Sequence, residues 1–363
     1  MFVFVCAGCE AELTAPLHRV EFPDHAHQNY GNGVSMPVLM DEGTFAVDPL
    51  PSGPPWRRWE DLPEGEAEAL GWYAPVWGIS CGLPGAVLIA PGDSWGTVLV
   101  PERRGEGSCC GINGADGPNL ACLACGALVA TRIDDCSLWQ AVWLDPAAVR
   151  RVAAGSPPEP LTWEALLAER RIVPSVDQLG HWSPVWEAAV GAALAGVVAA
   201  SEGRPVDVPE GRVAEMFRHT LDGLLPWVPG ARAKRMVLAG PGLPAPDGPA
   251  DLILVPRHPE TGEAWGPAAE RDSRRPVVVP LAAAVWLCLA FGEPPPLPLP
   301  ASGRLARDVL RDEPLPLRPN WIFRPDGAVF ARTLARQPEA RAPWLRDVLD
   351  GLRHRRPQYQ GLF

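Results

Sequence analysis

Two Cys-x-x-Cys turns, Cys6-Ala7-Gly8-Cys9 and Cys122-Leu123-Ala124-Cys125, constrain this chain more than any other feature. A turn of this kind aims two thiolates at one point, so two turns together supply the four sulfurs of a tetrahedral zinc site. About 110 residues separate the pair, and a cross-link that closes so long a loop removes much of the freedom of the unfolded chain. Four thiolates leave no open coordination position, so the expected cofactor is a structural Zn2+ on Cys6, Cys9, Cys122 and Cys125.

The chain between and around these turns has the composition of strands. Residues 1–5, 13–22, 34–40, 44–47, 72–80, 85–90, 97–101 and 128–133 are apolar or β-branched, and turn formers such as Pro91-Gly92-Asp93-Ser94 break them up. Residues 48–63 read as an irregular Pro- and Trp-rich excursion pinned by Trp56 and Trp59. The loop 24–33, which carries His25 and His27, reads as a polar surface turn. The first half is therefore expected to be all-β and closed by zinc.

Gly155-Ser156-Pro157-Pro158 marks a linker over 153–160. The expected organisation is multi-domain: a zinc-stapled β domain over 1–152, then an α+β domain over 161–363. In the second part, Thr162 precedes one helix, Ser183-Pro184 opens an Ala-rich helix over 185–200, and 212–225 is amphipathic. Runs at 236–238, 252–255 and 277–279 are short strands, and the alanines of 281–291 favour helix. Residues 294–300 read as polyproline-like chain. Helical patterns at 305–310 and 343–353 flank an expected hairpin over 321–330, turning at Pro325-Asp326-Gly327.

A hydrophobic content of 47% with 21% charged residues fits a soluble globular chain. The longest apolar runs, 185–200 and 277–291, fall short of the roughly 20 residues of a membrane span, so no membrane partner is expected. Nine cysteines, with no charged segment ahead of Cys6, point to the cytoplasm. The net charge of −11 lies in the first half, where residues 1–150 hold 19 acids and 7 arginines. Such a surface repels phosphate backbones, so no nucleic acid is expected there.

An N-terminal knuckle, a long β insertion, and then Cys122 to Ala130 with Asp134-Asp135 and the Trp139 region together resemble the β-tent superfamily. Its members include the cereblon-type ligand-binding (CULT) domains, the Yippee proteins and the methionine-R-sulfoxide reductases. The chain also resembles a group of actinobacterial proteins with this N-terminal module. The resemblance covers roughly residues 1–150. The CULT likeness implies an aromatic cage for a small cyclic ligand, for which Trp77, Trp95, Trp139 and Trp143 are available. The reductase likeness implies a catalytic cysteine, Cys110 or Cys136, but Leu128 and Ala130 stand where that pattern has two histidines.

Other groupings offer less. Cys109, Cys110 and Cys136, with Cys81, could form a second metal site or a redox cluster, and Cys288 sits in an apolar run. His25 and His27 share a strand-like spacing but lack a third ligand. No nucleophile elbow, phosphate loop or kinase signature is present. The sequence thus predicts a non-enzymatic zinc-stabilised binding or adaptor protein that recognises a small molecule or a protein segment. The alternative is a thiol-dependent enzyme or redox sensor using Cys110 or Cys136.

Overall fold

The computed structural model describes residues 1–29, 36–103, 105, 111–169, 173–177, 179–225, 230–266, 275–292 and 319–354. Cys109, Cys110 and the segments 294–300 and 305–310 lie outside the described residues.

The first half is β-rich, as its composition requires. Strand β1 (Phe2–Cys6) is followed by β2 (His18–Arg19), β3 (Thr44–Val47), β4 (Trp56–Arg58), a one-turn helix α1 (Glu66–Ala69) and β5 (Gly78–Ser80). Then come β6 (Val87–Ile89), β7 (Thr97–Leu99), β8 (Leu120–Cys122), β9 (Leu128–Ile133), β10 (Ala141–Leu144) and β11 (Val149–Ala153). A seven-stranded sheet runs β2-β3-β6-β10-β9-β8-β7. β1 pairs antiparallel with β11, Phe2 opposite Ala153 and Cys6 opposite Val149, so the two ends of this half close on each other. Between them Phe4 and Phe45 meet edge to face at 5.2 Å, within a core that includes Leu13, Leu17, Ile89 and Leu144.

The second half is mixed α/β. Helices α2 (Trp163–Glu169) and α3 (Pro184–Ser201) lead into β12 (Val206–Asp207), α4 (Arg212–Leu224), β13 (Lys234–Leu238), β14 (Leu252–Arg257) and β15 (Val277–Ala282). Helices α5 (Ala283–Phe291), α6 (Gly327–Ala335) and α7 (Pro343–His354) follow. The four strands form one parallel sheet in chain order. Leu252-Ile253-Leu254-Val255 is apolar without alternation because both faces of β14 are covered. Helix α3 is apolar around most of its circumference for the same reason. It is the one helix among the described residues long and apolar enough to cross a membrane, and 72% of it is buried inside the protein.

Several expectations change. The strand read over 13–22 is only the two-residue β2, and the described part of the strand read over 34–40 is a single bridge from Val38 to Gln140. The strand read over 72–80 shrinks to β5, because Tyr73 gives its amide to the Ala335 carbonyl at the end of α6 rather than to a neighbouring strand. The hairpin at Pro325-Asp326-Gly327 is instead the start of α6. Asp-Gly suits a tight turn, but here the Asp326 carboxylate accepts from the Ala328 and Val329 amides and caps a helix.

Residues 153–160 are exposed and connect the halves. The excursion between β3 and β6 reaches across them: Ala67, Trp72, Ala74 and Ile79 are buried in the same apolar cluster as Trp186, Leu194, Phe330 and Leu334. Trp59 packs against that cluster too, while Trp56 lies in β4, paired with Ser80 of β5.

Candidate metal centre and ligand cavity

The end of β1 and the turn after β8 bring the four predicted ligands together. Cys6 Sγ lies 3.7 Å from Cys125 Sγ, and Cys9 Sγ lies 3.6 Å from Cys122 Sγ. All four sulfurs fall within 4.8 Å of one another. Zinc–sulfur bonds of about 2.3 Å in a tetrahedron place sulfurs about 3.8 Å apart, so the cluster has the size of a zinc tetrathiolate. It is far too open for disulfides, which need about 2.05 Å. The donor set fits a structural ion.

The two knuckles are built alike. The Cys6 amide donates to the Ala11 carbonyl and the Cys6 carbonyl accepts from the Glu10 amide; Cys122 does the same with Ala127 and Gly126. Each turn ends in a left-handed residue, Glu10 at φ 63° and Gly126 at φ 77°. Burial works to raise the Cys122 thiol, yet the Cys125 and Ala124 amides and neighbouring thiols bring it down to about 7. Amides aimed at sulfur favour the thiolate that a metal requires. Gly96 joins the knuckles: its amide donates to the Leu13 carbonyl and its carbonyl accepts from the Leu123 amide. A Cβ there would fall 2.0 Å from the Glu12 carbonyl oxygen, so only glycine permits the approach.

A cavity of about 360 Å³ opens in the same half. Its walls include Trp56, Trp143, His27, Cys81, Pro54 and Pro146. The volume is in the range of small-molecule sites, and the lining is mostly apolar with a few polar groups. Trp143, on β10, is held in place by its neighbours: its indole stacks on His27 at 5.2 Å and 25°, with Phe22 at 6.1 Å.

The four candidate cage tryptophans occupy different surroundings. Trp143 lines the cavity. Trp139 is 6% exposed and donates its indole N–H to Gln28 Oε1 at 3.3 Å. Trp77 is 48% and Trp95 68% exposed, and Trp95 donates to the Gly92 carbonyl. Trp56 and His27, which the sequence did not single out for the cavity, join Trp143 there. Nothing local to residues 27 and 56 signals that long-range placement.

The His25–His27 segment is a contact between halves, not a surface turn. His25 lies against Trp139 at 4.6 Å between centroids, and burial lowers its pKa to about 4. His27 Nε2 lies 2.7 Å from Asp48 Oδ2. Burial and the charges of Arg332 and Arg336 hold the imidazole below its ordinary value, so it is neutral and donates to the carboxylate. Burial alone would raise Asp48, but the His27 and Leu50 hydrogen bonds outweigh it and keep it ionised. Next to them Gln28 donates to the Pro184 carbonyl and to Asp326 Oδ2, and Arg257 pairs with Asp24 at 2.7 Å. The turn read from the sequence is present over 24–27, but Ala26 and Gln28 are buried, because partners far along the chain cover it.

The other described cysteines stand apart from the four-cysteine cluster. Cys136 Sγ is 3.7 Å from Asp135 Oδ1, Cys81 lies on the cavity wall, and Cys288 is buried in α5, where burial raises its thiol pKa. Among the described residues the Cys6, Cys9, Cys122, Cys125 group is the one metal-type cluster. Comparison with family models, curated proteins and solved structures returns no match for this chain.

Proposed function

We propose that the protein is a non-enzymatic, zinc-stabilised binding protein whose first half takes a small ring-containing molecule in the cavity beside Trp143. The observation that carries this reading is the cavity itself, about 360 Å³ with Trp56, Trp143 and prolines on its walls, in a half held by a tetrathiolate cluster. A zinc ion there supplies cross-linking and no reactive position, because four cysteines fill its coordination. The β-tent likeness of residues 1–150 supports the same assignment, with the cage contributed by Trp143 and, in place of the other three candidates, Trp56 and His27.

Such a site binds through ring faces and excluded water, with Ser52, Cys81, Thr131 and Asp145 as the polar groups that orient the ligand. The test is a titration of the intact protein with cyclic imides, aromatic acids and aromatic cations, followed by tryptophan fluorescence. Saturable quenching that is lost in Trp143→Ala and retained in Trp95→Ala is expected. No saturable response across the panel, or one that survives Trp143→Ala, contradicts the reading.

A further inference from the structure

Helix α6 brings two guanidinium groups to one place at the seam between the halves. Arg332 and Arg336 are one helical turn apart, and both lie over the indole of Trp72, at 5.8 and 4.3 Å from its centroid. Arg336 donates one nitrogen to the Leu70 carbonyl at 3.3 Å, while its Nη1 is buried with no partner. Arg332, half-buried near Asp48, has no hydrogen bond or ion pair among the described residues. Among the described residues the carboxylate facing the pair is already engaged: Asp48 Oδ2 holds His27 and Oδ1 holds the Leu50 amide.

The charge balance at this spot is therefore two cations against one anion, with His27 neutral beside them. A guanidinium cannot relieve burial by losing its proton at ordinary pH. Burial first, and then the charge of Arg332, pull Arg336 down to about 10, which still leaves it charged. A neighbouring arginine shows the usual arrangement. Arg341 lies over Tyr73 at 4.3 Å but also holds Glu68 through two nitrogens, at 3.2 and 3.1 Å. Arg332 and Arg336 have the aromatic floor without the carboxylate, and half-buried charge with a buried unpaired Arg336 Nη1 is costly enough that a partner is expected.

We propose that Arg332 and Arg336, with Trp72 beneath them and His27 alongside, form a binding site for a small oxyanion, a carboxylate or a phosphate, at the seam between the β half and helix α6. The planar forks of two arginines match either group through paired N–H donors. The site does not require the cavity beside Trp143 to be occupied. A bound anion joins α6 to the half that contributes His27 and Asp48, so its occupancy adds to the stability of the seam.

The test uses the intact protein in chloride buffer at constant ionic strength, titrated separately with acetate and with inorganic phosphate while thermal melting is followed. One of the two is expected to raise the melting temperature saturably, which also identifies the class of ligand. Arg332→Gln and Arg336→Gln should each weaken that effect by roughly tenfold or more, whereas Arg341→Gln should retain it. No saturable stabilisation by either anion beyond chloride, or an effect unchanged in Arg332→Gln, overturns the proposal. Should those variants fail to fold, NMR line broadening of each anion by the native protein decides: saturable broadening is expected, and its absence for both overturns the proposal.

Discussion

The two cysteine knuckles share their hydrogen bonds but not the residue at their left-handed position. Glu10 bears the steric cost of φ 63°, which Gly126 avoids at φ 77°. Nothing lies within 4 Å of a Cβ built at Gly126, so Gly126→Ala is a backbone penalty alone. It should cost about 1 kcal/mol and loosen the metal to chelators. Glu10→Gly should gain up to about 1 kcal/mol, since its pair with Arg150 is exposed and worth little. Thermal melting of both variants checks the opposite signs, and two shifts in the same direction would contradict the shared geometry.

His25 makes a second prediction at this scale. Its pKa in the folded protein is about 4, below the ordinary histidine value of 6.5. As pH falls below 6.5 the unfolded chain takes up a proton that the folded one refuses until about 4. The His25 contribution should thus be full above that window, decline across it by roughly 3 kcal/mol, and flatten below it. His27, also held below its ordinary value, acts in the same direction, and Asp48, held below its ordinary 3.8, extends the loss to still lower pH. Urea midpoints measured through the window should show the slope, and His25→Phe should reduce it. An unchanged slope would mean that His25 titrates freely. The four clustered cysteines were legible residue by residue because their spacing carries its own chemistry. The roles of His25, His27, Arg332 and Arg336 were not, because each depends on a partner far away in the chain.

At the scale of elements, glycines in helices separate packing from propensity. A Cβ at Gly191 of α3 would lie 2.7 Å from the Asp326 carbonyl oxygen at the start of α6. At Gly223 of α4 it would meet nothing within 4 Å. Gly191→Ala should therefore cost about 1–3 kcal/mol despite better helix propensity. Gly223→Ala should gain up to about 1 kcal/mol. Urea denaturation checks both, and a neutral Gly191→Ala would contradict the close α3–α6 packing. Helices α2, α3, α4 and α7 were readable from caps and composition, such as Ser183-Pro184 before α3. Helix α6 was not, because Asp326-Gly327 serves a hairpin and a helix start equally well until the capped amides are seen. The only lysine in the sequence has an element-scale task as well. Lys234 Nζ donates to the Ala200 carbonyl in the last turn of α3, where a cation is favourable.

For the whole molecule, the halves share their interior. The excursion through Trp72 and Ile79 leaves the β-rich half and enters the core around α3 and α6. The loop from Glu21 to Gln28 meets residues of the second half through Arg257, Pro184 and Asp326. Composition divided the chain at 153–160 because Pro and Gly mark an exposed connection. It could not reveal that an apolar segment inside one half belongs to the core of the other. Loss of the metal is accordingly expected to weaken the β1–β11 closure first and the shared core with it.

The four-cysteine cluster joins the end of β1 to the turn after β8 in the half that holds the cavity. Metal analysis of the purified protein, combined with alkylation mapping of its cysteines, tests the proposed zinc clasp most directly. One zinc per chain, with Cys6, Cys9, Cys122 and Cys125 protected until a chelator is added, is the predicted result. Zinc-free folded protein with these four thiols freely alkylated would contradict it.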